Sequence, residues 1–188
     1  EIDELIAYLN SLKPYSGYIT GHFADTYFTE DNCRLMDAVR DEIENLFRAG
    51  EINSGLHTYL KASFVLSADR VANTIGQYDA YLKHIGSPVV ENGKHLVDLR
   101  VYSPFRLKKL KRLPSDNIKI INGDMVKLAN KISLEVAYYD PPYNKRQYFS
   151  NYHLLENLTL WEKPQVFGKT KKYRDKELLS RCLLYTSP

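Results

Sequence analysis

Cysteine is almost missing from this chain, with two in 188 residues. One of them, Cys182, belongs to the tail Cys182-Leu183-Leu184-Tyr185-Thr186-Ser187-Pro188, which reads as the translation of a transposase adaptor from a sequencing library and is set aside from fold reasoning. Native sequence is then expected to end near Arg181. Cys33 alone builds neither a disulfide framework nor a metal cluster, which fits a reducing, cytoplasmic setting and a protein without metal. No apolar run approaches a membrane span, and no signal peptide is visible. Glycine is sparse, at nine residues, and no glycine-rich strand-to-helix turn occurs. Gly17 and Gly21 lie in a tyrosine-rich stretch with no helix opening at the second glycine. The net charge is only +3, so bulk charge does not announce a polyanionic partner.

What is present falls into three stretches. Residues 1–86 read as mainly helical, beginning inside the pattern Ile2, Leu5, Ile6, Leu9. Thr29 suits the N-cap of a helix with Leu35, Val39, Ile43 and Leu46 on one stripe, stopped by Gly50. A second long helix is expected from about Gly55 towards Ile85, burying Leu60, Phe64, Val71 and Tyr78 and ended by Gly86 and Pro88. Residues 87–116 hold a hairpin signal at Glu91-Asn92-Gly93-Lys94. Next comes Arg106-Leu107-Lys108-Lys109-Leu110-Lys111-Arg112, with five cations and no acid.

From residue 117 the pattern becomes α/β. Ile118-Lys119-Ile120-Ile121 reads as a strand, residues 125–131 as a short helix and residues 135–139 as the next strand. That order suggests a βαβ crossover with both strand carboxyl ends on one edge. Asp124 and Asp140 then share that edge. A second basic stretch follows at Lys169, Lys171, Lys172, Arg174 and Lys176, opposed by Asp175 and Glu177.

Asp140-Pro141-Pro142-Tyr143 closes the second expected strand. Such a tetrapeptide arises by chance in roughly one chain in a thousand of this size. An exocyclic nucleobase amine is a poor nucleophile because its lone pair is delocalised into the ring. Two acceptors on its protons favour a more tetrahedral nitrogen with an outward lone pair. Asp140 offers one charge-assisted acceptor, and the Pro141 carbonyl offers the other. Pro142 restricts Pro141 to extended conformations. Tyr143 offers a face on which a flipped base can stack. The plainer reading is a proline-terminated strand with Asp140 as a cap.

With Asn144-Lys145-Arg146-Gln147-Tyr148 and Asn151-Tyr152-His153 behind it, the tetrapeptide resembles the Dam-like class of adenine-specific DNA methyltransferases. Upstream, Tyr27-Phe28-Thr29-Glu30-Asp31-Asn32, Asp37-Ala38-Val39-Arg40, Ala72-Asn73-Thr74, Tyr78 and Ala80-Tyr81-Leu82-Lys83 are similar to the region which that family carries before the motif. The resemblance implies an α/β, partial Rossmann-like S-adenosylmethionine-dependent methyltransferase sheet with a mainly helical target-recognition insertion. It implies methyl transfer from S-adenosylmethionine to the N6 amine of adenine in double-stranded DNA, within a restriction-modification system that can include a cognate restriction endonuclease. Residues 1–115 are then the target-recognition region, 116–181 the carboxyl half of the catalytic domain, and 182–188 the adaptor scar.

The family opens with a glycine-rich cofactor turn that this sequence lacks. The chain therefore reads as an internal fragment, expected to bind little cofactor by itself.

By resemblance Asp140, Pro141, Pro142 and Tyr143 are catalytic, and Asp124, Met125 and Asp140 contact cofactor. Asp124 equally suits a simple helix cap. Tyr148 is expected at the base pocket, with Phe149 a structural aromatic. Asn73 and Thr74 are expected at base edges or phosphates. Arg106, Lys108, Lys109, Lys111 and Arg112 are expected at phosphates, unless they form an ordinary solvated face. His153 reads as a satisfied helix histidine rather than a general base. Two alternatives stay open: a non-catalytic DNA-binding specificity segment, and an enzyme acting on cytosine's exocyclic amine or on RNA adenine.

Overall fold

The computed structural model describes residues 2–83, 85, 90–92, 94–95, 98–111, 118–121, 123, 125–129, 131–133, 135–138 and 148–173. Helix α1, Ile2–Asn10, buries Ile6 and Leu9 and carries Asp3 and Glu4 in its first turn, where the helix dipole favours acid. Helix α2, Tyr18–Phe23, starts on the carboxylate of Asp37. That buried side chain accepts from the backbone N–H of Gly17 (2.9 Å), Ile19 (2.7 Å) and Thr20 (2.9 Å). A Cβ at Gly17 would stand 2.8 Å from Asp37 Cγ, so the close approach requires glycine there.

Helix α3, Glu30–Arg48, is capped by the Thr29 hydroxyl and is followed by Gly50 at φ +74°, as the sequence leads one to expect. Met36, Val39 and Ile43 are fully buried on its stripe, and burying each such side chain contributes about 1.5–3 kcal/mol. Helix α4, Ser54–Arg70, begins at Asn53, whose Oδ1 accepts from Leu56 N–H at 2.9 Å.

The expected continuation of α4 to Ile85 does not occur. The Asn73 N–H donates to the Tyr27 carbonyl at 2.7 Å. Its side-chain amide donates to Thr26 and Leu82 carbonyls, both at 2.7 Å. Thr74 Oγ1 then closes a turn, accepting from Gly76 N–H (3.2 Å) and donating to Gln77 O (2.7 Å). Tertiary hydrogen bonds thus replace the i→i−4 ladder, and they override helix propensity.

A two-stranded antiparallel hairpin follows, β1 at Val90–Glu91 and β2 at Lys94–His95, with Asn92 at φ +50°. A 3₁₀ turn, Leu99–Tyr102, is capped by Asp98. Helix α5 is Met125–Ala129 and helix α6 is Tyr148–Leu160. The hairpin is the only sheet among the described residues. The parallel strands expected at 118–121 and 135–139 are not formed at 118–121 or 135–138. Ile120, Val136 and Tyr138 are 90%, 86% and 91% exposed. An apolar run becomes a strand only where a neighbour takes its backbone groups.

Among the described residues, helix α6 packs on helices. Leu154, Leu158 and Trp161 join one core with Ile19, Phe23, Val39 and Phe64, while Tyr152 is 41% exposed. No helix among the described residues is long and apolar enough to cross a membrane.

Candidate nucleic-acid interface

The first basic run is held by its backbone. Asn10, the last residue of α1, donates from Nδ2 to Leu107 O (2.9 Å) and accepts from Leu107 N–H at Oδ1 (2.8 Å). Asn32 treats the preceding stretch in the same way, accepting from Phe105 N–H at 2.7 Å and donating to Ser103 O at 3.0 Å. The Ser63 hydroxyl donates to Lys108 O, and Tyr59 Oη accepts from Leu110 N–H at 2.8 Å. Side chains of α1, α3 and α4 therefore act as the missing strand partner.

The result is alternation, with Phe105 and Leu107 buried while Arg106 and Lys108 are exposed. Lys109 pairs with Asp3 at 2.7 Å, and both groups are exposed, so the pair is worth little in stability. Lys109, Leu110 and Lys111 also line an open groove of about 790 Å³ with Ile2, Asn53, Gly55, Leu56 and Tyr59.

The second basic stretch lies partly in a tight turn. Phe167 N–H donates to Lys172 O at 2.6 Å, and Lys172 N–H returns the bond at 3.1 Å. Gly168 (φ +71°) and Lys171 (φ +54°) are left-handed within it. The Thr170 carbonyl points inward, accepting from His153 Nε2–H at 2.7 Å. The Tyr27 hydroxyl lies 3.0 Å from that carbonyl and donates to Tyr78 O at 2.5 Å. Tyr78 N–H in turn donates to Asn151 O in α6 at 2.8 Å. Burial lowers the pKa of His153, outweighing the Thr170 and Ser150 carbonyls that raise it. These bonds tie the turn, α6, the 71–82 loop and the α2–α3 connection together.

The far end of α6 is gripped by α3. Arg40 is fully buried and donates to the carbonyls of Leu158 (2.9 Å) and Thr159 (3.0 Å). A cation there satisfies terminal carbonyls and complements the helix dipole. Glu44 bonds Arg40 (2.5 Å) and His57 (2.9 Å). Burial raises its carboxyl pKa, but these two partners outweigh that and hold it below the usual value. Trp161 (φ +59°) leaves the helix with the Arg40 guanidinium 5.2 Å and the Lys163 ammonium 4.7 Å from its ring centroid. Asp41 accepts from Trp161 Nε1–H (2.8 Å) and Lys163 Nζ (2.7 Å).

Asp140, Pro141, Pro142, Tyr143, Asp124 and Arg112 lie outside the described residues, and Met125 and Tyr148 are described only as backbone at the starts of α5 and α6. Arg106, Lys108, Lys109 and Lys111 come together on one segment. Asn73 is 1% exposed and its amide protons are spent on the Thr26 and Leu82 carbonyls, so it shapes the loop. Thr74 holds the adjoining turn through its hydroxyl. His153 is the buried, bonded helix residue expected. Arg40, Asn10 and Asn32 are interior polar groups that local sequence does not mark, although Arg40 lies in register with Met36 and Ile43 on the apolar stripe. Among the described residues no group of His, Cys, Asp and Glu could hold a metal ion.

A family described as D12 class N6 adenine-specific DNA methyltransferase matches residues 2–187. The type II methyltransferase M.NlaIII of Neisseria lactamica is 33% identical over 174 residues, which cover 89% of this chain and 48% of the relative. Modification methylase LlaI of Lactococcus lactis subsp. lactis is 35% identical over 144 residues, 77% of this chain and 22% of that protein. The type II methyltransferase M.FokI of Planomicrobium okeanokoites is 34% identical over 146 residues, 77% and 21% respectively. The chain thus spans from about a fifth to about half the length of these relatives. No solved structure matches it.

Proposed function

Because the chain belongs to the D12 class N6 adenine-specific DNA methyltransferase family, we propose that the protein methylates the N6 amine of adenine at a specific site in double-stranded DNA. The observation that carries this reading is a family match running through Asp140-Pro141-Pro142-Tyr143, the residues whose chemistry suits an exocyclic amine. The family description favours adenine over cytosine. Relatives named as modification methylases support a place in a restriction-modification system, with a cognate endonuclease as partner.

Asp140 and the Pro141 carbonyl accept the two amine protons and turn the nitrogen's lone pair outward, Pro142 holds that carbonyl in place, and Tyr143 stacks on the flipped base. S-adenosylmethionine supplies an electrophilic methyl group when bound, with Asp124, Met125 and Asp140 as its contacts. Tyr148 walls the base pocket. Arg106, Lys108, Lys109, Lys111 and Arg112 contact phosphates and contribute affinity rather than sequence reading. Helix α6 emerges directly behind the motif, and Arg40 and Tyr78 fix where it lies.

The test is Asp140→Ala in the full-length gene product, followed by tritiated methyl transfer and DNA binding. Methylation is expected to fall at least a hundredfold, on the scale of losing an aligned transition-state group, while DNA affinity stays within a fewfold. Methylation that survives the substitution refutes the assignment.

A further inference from the structure

His153 is fully buried, yet a neutral imidazole carries a single N–H. Two carbonyls face its ring, Ser150 O at 3.2 Å from Nδ1 and Thr170 O at 2.7 Å from Nε2. The shorter contact places the proton on Nε2, aimed at Thr170. Thr170 lies within the turn that carries Lys169, Lys171 and Lys172. The turn has two left-handed residues and a single two-residue bridge, and it lies between Val166, which packs against the core, and the buried Tyr173. Its inward anchor is the Thr170 carbonyl, taken by His153 with the Tyr27 hydroxyl beside it.

We infer that His153 is a positioning residue for DNA binding: through the Thr170 carbonyl it docks the lysine turn beside the start of α6, where the turn meets phosphates flanking the adenine to be methylated. The inference rests on the function proposed above. It gives His153 a task apart from proton transfer, and it makes the 167–172 turn a second phosphate contact whose Thr170 carbonyl is oriented by one buried donor. Gln in place of His153 can still present an N–H to Thr170 O, whereas Leu cannot.

The experiment measures DNA affinity of the full-length gene product against salt, because each phosphate contact contributes about 0.9 to the slope of log K on log salt. In the Lys169→Gln/Lys171→Gln/Lys172→Gln variant the slope is expected to fall by roughly 2 to 3. His153→Leu should lower the slope similarly and raise KM for DNA roughly tenfold at physiological salt, with the effect on KM and not on kcat. His153→Gln should restore most of the slope. Combining His153→Leu with the lysine changes should add little, since the two act on one contact.

A triple-lysine variant with the parent's slope overturns the inference even if His153→Leu fails to fold. Additive slopes, or a His153→Leu loss confined to kcat, overturn it as well. Failure of the underlying reading looks different: the unaltered protein then binds DNA without salt dependence, or methylates none.

Discussion

The two basic stretches are alike in composition and unlike in how they are held. The segment around Arg106 and Lys108 is fastened at successive backbone groups by Asn32, Asn10, Ser63 and Tyr59, drawn from three helices. The turn around Lys171 has an inward anchor at one carbonyl, Thr170, reached from α6 and the α2–α3 connection. A run of cations therefore does not determine its own place. Interior polar side chains do, and the number of independent clamps decides how much one substitution can undo. The first stretch should yield by degrees and the second all at once.

The largest effect should come from the frame on which the second stretch depends. Arg40→Met leaves Glu44 half-satisfied and the α6 carbonyls of Leu158 and Thr159 without their donor. Breaking a buried ion pair from one side costs about 3–5 kcal/mol, to be read as a lower midpoint in denaturant unfolding. A loss below about 1 kcal/mol would place the joint in the class of surface pairs.

Asn10→Ala comes next. It removes two bonds to Leu107 and leaves that residue's buried backbone groups unpaired, at about 1–3 kcal/mol. Asn32, Ser63 and Tyr59 remain, so DNA affinity should fall only a fewfold. Collapse of binding would mean that the clamps are not independent.

Acid separates the two stretches without mutation. Burial holds the pKa of His153 below its ordinary 6.5, so the unfolded chain binds the proton more readily than the folded one. Stability from this group is complete above pH 6.5 and declines as pH falls below it. The carboxyls of Asp41 and Glu44, though raised by burial, are held below 3.8 and 4.5 by their partners, so their contribution is lost only at lower pH. Unfolding midpoints measured between pH 7 and 5 should slope downward, and His153→Leu should flatten that slope.

The smallest expected change is Lys108→Gln, which leaves the fold untouched and lowers the salt slope of DNA binding by about 0.9. An unchanged slope would show that this lysine faces away from the duplex.

Local chemistry was legible in the sequence wherever it acts alone. Thr29 and Gly50 bound α3 because capping and left-handed glycine are decided within a few residues. Asn92 turns the hairpin for the same reason. The end of α4 was not legible, because it is set by Tyr27, 46 residues before Asn73, and by Asn151, 73 residues after Tyr78. Residues 118–121 and 135–138 show the converse: apolar character gives a strand its preference, and only a neighbouring strand gives it hydrogen bonds. In the candidate interface the cations were visible and their clamps were not. Asn10, Asn32 and Ser63 have nothing in their local context to mark them as interior donors and acceptors.

Trp161 is the chain's one tryptophan, and it is 7% exposed with a guanidinium and an ammonium over its ring. Its indole emission thus comes from a single place, the seam where α6 meets α3. Light from this one ring can report whether that seam is shut when DNA arrives, with no label attached to the protein.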